Sequence, residues 1–217
     1  MIEKGITFDD LHSFYDLNLI LSKVEIPPAA AKTSYLDIPG ADGELDMTEV
    51  HGEVKYKDRD ITFTFTMMPS DPLTWEEKKT EISNKLNGKV FKITLDEEDE
   101  YYYTGRCAVS EYGSERKIKT FVINAKVNPW KLKHYNSVVT ASLTGTPKSI
   151  TILNGKKAVV PLITCTHDDT SIVFGNGSYM LSKGTHKILD IRFVEGINTV
   201  TASGNGAVTF TFQEGEL

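Results

Sequence analysis

The sequence predicts a mainly β protein of two domains with one helix, and three observations carry that prediction. The segment Ile61-Thr62-Phe63-Thr64-Phe65-Thr66-Met67 alternates apolar and polar residues, the period of a strand with one buried face. A helix start is written at Thr74-Trp75-Glu76-Glu77, where a Thr precedes a Glu by three residues, and Trp75, Ile82 and Leu86 follow at helical spacing. Beyond Tyr135, Thr, Ser, Gly and Val dominate, and turn signals divide the chain into eight short strands, the pattern of a compact antiparallel sandwich.

The elements follow in order. Tyr15, Leu17, Leu19 and Leu21 recur at period two and predict a first strand, which Pro27-Pro28 interrupts. From Ala29 to Thr48 the burial pattern vanishes into small, polar and turn residues, including Pro39-Gly40-Ala41-Asp42-Gly43, so an extended arm or long loop is expected there. Gly52 to Tyr56 and Ile61 to Met67, separated by the polar residues Lys57 to Asp60, read as a hairpin. Gly88 is the natural stop of the helix. Strands resume at Val90 to Leu95, Tyr101 to Tyr103, Arg106 to Val109 and Lys117 to Val127, and Asn128-Pro129-Trp130 closes the run. A domain boundary is expected near residue 133, giving domains 1–133 and 134–217. In the second, Asn154-Gly155, Asp168-Asp169, Gly175-Asn176-Gly177, Lys183-Gly184, Glu195-Gly196 and Gly204-Asn205-Gly206 mark the turns, where Gly and Asn tolerate positive φ.

Composition narrows the function classes. The chain has 217 residues, 40% hydrophobic and 25% charged, enough for a genuine core, and no apolar run reaches the roughly 18 residues of a membrane span. A net charge of −6 argues against a default affinity for nucleic-acid phosphates, and the runs Arg116-Lys117-Ile118-Lys119 and Lys131-Leu132-Lys133 read as solvated strand ends. Met1-Ile2-Glu3-Lys4-Gly5-Ile6 has no secretory character, so synthesis in the cytoplasm is expected. Cys107 and Cys165 have no CxxC spacing and are expected as reduced core residues.

The search for chemistry returns no catalytic constellation. His12, His51, His134, His167 and His186 form no HxH or HExxH pattern, and His167-Asp168-Asp169 reads as a turn. Asp42-Gly43-Glu44-Leu45-Asp46 lacks the ligand order of an EF-hand and reads as a solvated turn. The run Asp96 to Glu100 reads as a hairpin tip, since five adjacent acids repel one another. There is no nucleophile elbow, P-loop or dinucleotide fingerprint, and Asn176-Gly177-Ser178 reads as a turn. No enzyme, metal or cofactor is expected. Tyr179 is the aromatic residue available for a sugar-binding face in the second domain, where Phe174, Phe193, Phe210 and Phe212 read as core.

The order of features resembles the phage distal tail protein (Dit) family. The residues that carry the resemblance are Asp16-Leu17-Asn18-Leu19, the proline-containing arm, Ile38-Pro39-Gly40-Ala41-Asp42-Gly43, the aromatic hairpin that ends at Met67, the helix, Tyr103-Thr104-Gly105-Arg106, Asn128-Pro129-Trp130, Asn154-Gly155, Pro161-Leu162-Ile163-Thr164 and Gly196-Ile197-Asn198. They span essentially the whole chain. The resemblance implies an N-terminal barrel or split-barrel domain similar to the tail-tube fold, with an arm over about residues 27–50, and a galectin-like C-terminal sandwich. It implies a baseplate hub in the tail of a virion: a hexameric ring with the tail tube protein on one face and a tail-tip or tail-associated lysin protein on the other. Receptor-binding proteins are further expected partners, and DNA would pass through the lumen without specific binding. Pro27, Pro28, Tyr35, Pro39, Gly40 and Gly43 are the expected arm residues in contact with a neighbouring subunit. A lectin-like carbohydrate-binding module and another prophage-derived tail or tube component stand as alternative readings.

Overall fold

The computed structural model describes residues 4–50, 52–115 and 118–217, so Met1 to Glu3, His51 and the Arg116-Lys117 pair lie outside it. The chain divides into two compact units, Met1–Lys131 and Leu132–Leu217.

The first unit contains β1 (Ile6–Phe8), β2 (Leu11–His12), β3 (Leu19–Glu25), β4 (Tyr35–Asp37), β5 (Glu44–Asp46), β6 (Arg59–Met67), α1 (Trp75–Leu86), β7 (Val90–Leu95), β8 (Tyr101–Glu115) and β9 (Ile118–Val127); a short β10 (Lys131–Lys133) follows. Its main sheet has the strand order β2-β1-β7-β8-β9-β6-β3. Every neighbouring pair along that path is antiparallel. Four steps separate β1 from β6, which in a flat sheet would hold them about 19 Å apart at the usual strand spacing. Yet the ring of Phe8 on β1 lies 6.2 Å from Phe63 and 6.5 Å from Phe65, both on β6. The sheet is therefore rolled on itself in the manner of a barrel, around Ile6, Phe8, Leu19, Ile61, Phe63, Phe65, Phe121 and Ile123, all buried. Register shifts at Leu21/Lys23 in β3 and Val109/Glu111 in β8 supply local bends of the kind such rolling needs.

Helix α1 covers this core with Ile82 and Leu86. Its start is the capping box written in the sequence: the Thr74 side chain accepts from Glu77 N, and Glu77 Oε2 accepts from Thr74 N at 2.9 Å. The Thr74 hydroxyl, which donates to Glu77 Oε2 at 2.7 Å, and then the Thr74 amide hold the Glu77 carboxyl below its usual range. Past Asn87 the chain turns at Gly88 with φ +76°, a conformation that favours glycine.

The second unit contains β11 (Ser137–Thr144), β12 (Lys148–Asn154), β13 (Leu162–Cys165), β14 (Thr170–Phe174), β15 (Gly177–Leu181), β16 (Gly184–Lys187), β17 (Gly196–Ser203), β18 (Asn205–Phe212) and the two-residue β19 (Gly215–Glu216). Eight of these form two four-stranded sheets, β11-β18-β13-β16 and β12-β17-β14-β15. Alternate residues from both sheets meet in one core, Leu143, Ile163, Val208 and Phe210 from the first and Ile150, Ile152, Ile172 and Val200 from the second. Phe193 joins them, packed against Phe174, Phe210 and Phe212 at 5.9, 6.0 and 5.4 Å between ring centroids.

Four sequence expectations are corrected. Tyr15 and Leu17 do not extend the strand of Leu19 and Leu21; they lie in a turn. Side-chain bonds to the backbone compete there with the ladder: Asp16 Oδ2 accepts from His12 N at 2.7 Å, His12 Nδ1 from Phe14 N at 3.1 Å, and Asn18 adopts φ 49°. Leu17 still reaches the core from that turn, while Tyr15 is exposed and stacks on His12. Gly52 to Tyr56 forms no strand of a hairpin, because β6 pairs with β3 and β9 and leaves Tyr56 only an isolated bridge to Ala31. Tyr101 to Val109 is one piece of a 15-residue strand rather than two short ones. Lys131 and Lys133 are not freely solvated, since Lys131 pairs with Glu98 at 2.9 Å and Lys133 with Glu214 at 3.2 Å.

Candidate functional site

Among the described residues no group of three or more His, Cys, Asp or Glu is placed to hold a metal ion. His167, Asp168 and Asp169 lie in the turn between β13 and β14, where Asp168 Oδ1 accepts from Lys183 N at 2.8 Å. Asp96 to Glu100 form the turn between β7 and β8. Both cysteines are buried as free thiols; burial pushes Cys107 up to about 12 and raises Cys165, so neither is poised as a nucleophile.

The segment that does stand out is the arm. It leaves β3 at Glu25 and is fastened at its root by Lys57 N to Ala30 O at 2.8 Å and Lys32 N to Lys55 O at 2.7 Å. At the root Tyr56 packs edge-on against Trp130 at 5.6 Å. Beyond the root the stretch expected as an extended arm or long loop is a two-stranded ribbon of β4 and β5. The register pairs Tyr35 with Asp46, Leu36 with Leu45 and Asp37 with Glu44. Tyr35-Leu36-Asp37 and Glu44-Leu45-Asp46 repeat one polar-Leu-acid pattern around a Pro-Gly-Ala-Asp-Gly turn, a signal the sequence did contain.

Gly40 and Gly43 adopt φ 85° and 76° in that turn, which is why glycine stands at both positions. Met47 N bonds Ser34 O at 2.8 Å and closes the ribbon at its base. The Thr48 hydroxyl and amide bond Asp46 and keep its carboxyl below the usual range.

All six strand residues of the ribbon are exposed. Tyr35 is 55%, Leu36 52% and Leu45 48% accessible, and Ile38 and Val50 beside them are exposed as well. The expected contact residues Pro27, Pro28, Tyr35, Pro39, Gly40 and Gly43 are all exposed: the prolines 27 and 28 at the root, Tyr35 on β4, and the other three around the turn. A lone two-stranded ribbon is marginal in water, and about half the surface of the large side chains on both of its strands is left in solvent.

No protein-family model matches the sequence, and no curated protein is found similar to it. Among solved structures the chain is similar to the crystal structure of the Dit protein of phage SPP1 (gp 19.1), described as a paradigm of the hub adsorption apparatus in phages infecting Gram-positive hosts. The TM-score is 0.72 at 13% identity, over 97% of this chain and 98% of that one. The likeness is one of fold, and it is the Dit-like, mainly β fold that the sequence resemblance implied.

Proposed function

We propose that the chain is a structural component of a phage tail hub that closes into a homo-hexameric ring by packing each arm on the next copy. The observation that carries this reading is the end-to-end likeness of fold to a hub protein of the adsorption apparatus, with 97% of this chain and 98% of that one aligned. The arm supports it: an exposed ribbon bearing Tyr35, Leu36 and Leu45 suits addition to another chain. A heterologous contact of this kind, repeated by rotation, closes a ring.

In this reading the first unit is the tube-like, ring-forming domain, with the tail tube protein on one face and a tail-tip or tail-associated lysin protein on the other. The second unit is a galectin-like sandwich offered to baseplate or receptor-binding partners. DNA crosses the lumen unbound, consistent with a chain of net charge −6, because basic walls would retain phosphate. The protein acts as a building block of the virion tail rather than as an enzyme.

The test is the mass of the full chain by light scattering over a concentration series, with negative-stain images of the largest species. Six copies of a 24.2 kDa chain give a ring of about 145 kDa. A 24.2 kDa monomer at every concentration overturns the self-closing ring.

A further inference from the structure

The arm carries one feature that a merely apolar contact does not require. Residues 33 to 50 include Asp37, Asp42, Glu44, Asp46 and Glu49 and no Lys or Arg. Directly opposed residues share a face in an antiparallel ribbon, so Tyr35, Asp37, Glu44 and Asp46 lie on one face and Leu36 and Leu45 on the other. Asp37 and Glu44 are thus like charges set across from each other, an arrangement that destabilises an isolated pair of strands. A cation brought from outside the ribbon relieves that repulsion.

The same unit offers such cations in an aromatic setting. Trp75 at the start of α1 packs against Phe121 at 4.9 Å and Tyr112 at 6.3 Å between ring centroids. The Lys79 ammonium stands over both exposed-side rings, 5.7 Å from the Trp75 centroid and 5.8 Å from that of Tyr112. The Lys119 ammonium stands 5.4 Å over Trp75 and bonds Ser114 Oγ. Lys79 has one carboxylate partner, Glu76 at 2.6 Å, which is itself 78% exposed and free to be exchanged. Beside this cluster runs an open groove of about 370 Å³ lined by Glu76, Lys79, Thr80, Ser83, Asn84 and Tyr112. Trp and Tyr are the side chains most enriched where binding energy concentrates. Ring-held ammonium groups keep donors available to an arriving carboxylate.

We propose that the acidic face of the arm of one copy docks on the Trp75, Lys79, Tyr112 and Lys119 cluster of a second copy, with Tyr35 joining the rings and Asp37 and Glu44 meeting the two lysines. The inference rests on the arm-exchange reading above and names the surface that receives the arm. Charge complementarity selects this occupant: the charged side chains of residues 33 to 50 are all acidic, and the cluster presents the Lys79 and Lys119 ammonium groups over its rings.

The experiment places a benzophenone-bearing amino acid at Tyr35 of the full chain and mixes ¹⁴N- and ¹⁵N-labelled copies before illumination, so that links between copies carry both isotopes. The expected product joins position 35 of one copy to Trp75, Lys79, Tyr112 or Lys119 of another. Mixed-isotope links that land elsewhere overturn this receiving surface while the arm-exchange reading survives. No mixed-isotope link at all overturns both. As a second arm, Lys79→Glu with Lys119→Glu is expected to cut the assembled fraction at least tenfold, and adding Asp37→Lys with Glu44→Lys restores it. A doubly substituted chain that assembles like the parent, or a swap that restores nothing, overturns the pairing.

Discussion

Lys78 Nζ lies 2.7 Å from Asp71 Oδ2, with the two side chains 1% and 0% exposed. The contact is an ion pair by distance: Lys78 directs its hydrogen bond to Glu81 Oε2 at 2.8 Å, and Asp71 Oδ1 accepts from Leu73 N at 2.9 Å. A charge taken out of water has to be matched, so removing one partner strands the other. Lys78→Met is therefore expected to destabilise the first unit by about 3–5 kcal/mol, read as a lower urea midpoint. Lys78→Met combined with Asp71→Leu is expected to recover most of that loss. A double variant no more stable than the single one rejects a mutual pairing.

That pair also marks what the sequence left illegible. The capping box at Thr74, the alternation from Ile61 to Phe65 and the eight strands after Tyr135 were readable because each depends on neighbours in sequence. Lys78 was not, since a lysine on a helix is ordinarily solvated and only the fold brings Asp71 beneath it. Tyr15 followed the period of its strand and still turned away, because Asp16 and His12 bonded the local backbone instead. The arm was visible as a stretch without burial pattern, but pairing Asp37 with Glu44 needed a register. The aromatic cluster was hidden for the same reason: Trp75 is far in sequence from Tyr112 and Lys119, and the β8–β9 pairing is what brings Tyr112 beside Phe121.

Phe63 and Phe193 test whether the two cores stand on their own. Phe63 is fully buried among residues of the first unit alone, Phe193 among residues of the second alone. Phe→Ala in such a site costs about 3–5 kcal/mol through lost burial and the cavity left behind. Phe63→Ala is expected to lower one calorimetric transition and Phe193→Ala the other. One shared transition that both substitutions lower equally would show that the units unfold as one.

The thiols give a chemical test. Burial lifts Cys107 from 9.0 to about 12, so its thiolate is scarce at pH 8 and the sulfur is out of reach of reagent. Neither Cys107 nor Cys165 is expected to react with a disulfide reagent at pH 8 until denaturant is added, when both do. The sign of the linked stability follows, because a thiol held protonated by folding favours the folded state only while the unfolded thiol is protonated too. Stability is expected to be full below pH 9 and to fall as pH rises from there toward 12, with Cys107→Ala flattening that fall.

The arm separates folding from assembly most directly. Residues 35 to 46 put no side chain into either core, and the segment begins and ends at a closed point, where Met47 N bonds Ser34 O at 2.8 Å. Two residues that turn tightly, Asn-Gly, span such a gap without pulling on the root formed by Ala30, Lys32, Lys55 and Lys57. Shortening a surface connection also lowers its closure entropy slightly, which favours the folded chain. Replacing 35–46 by Asn-Gly is therefore expected to leave the thermal midpoint within about 2 °C of the parent, since surface changes away from the core stay near ±0.5 kcal/mol. The same variant is expected to remain monomeric by light scattering at concentrations where the parent assembles. A large fall in the thermal midpoint would mean that the ribbon supports its own unit, and undiminished assembly would remove the arm from the contact between copies.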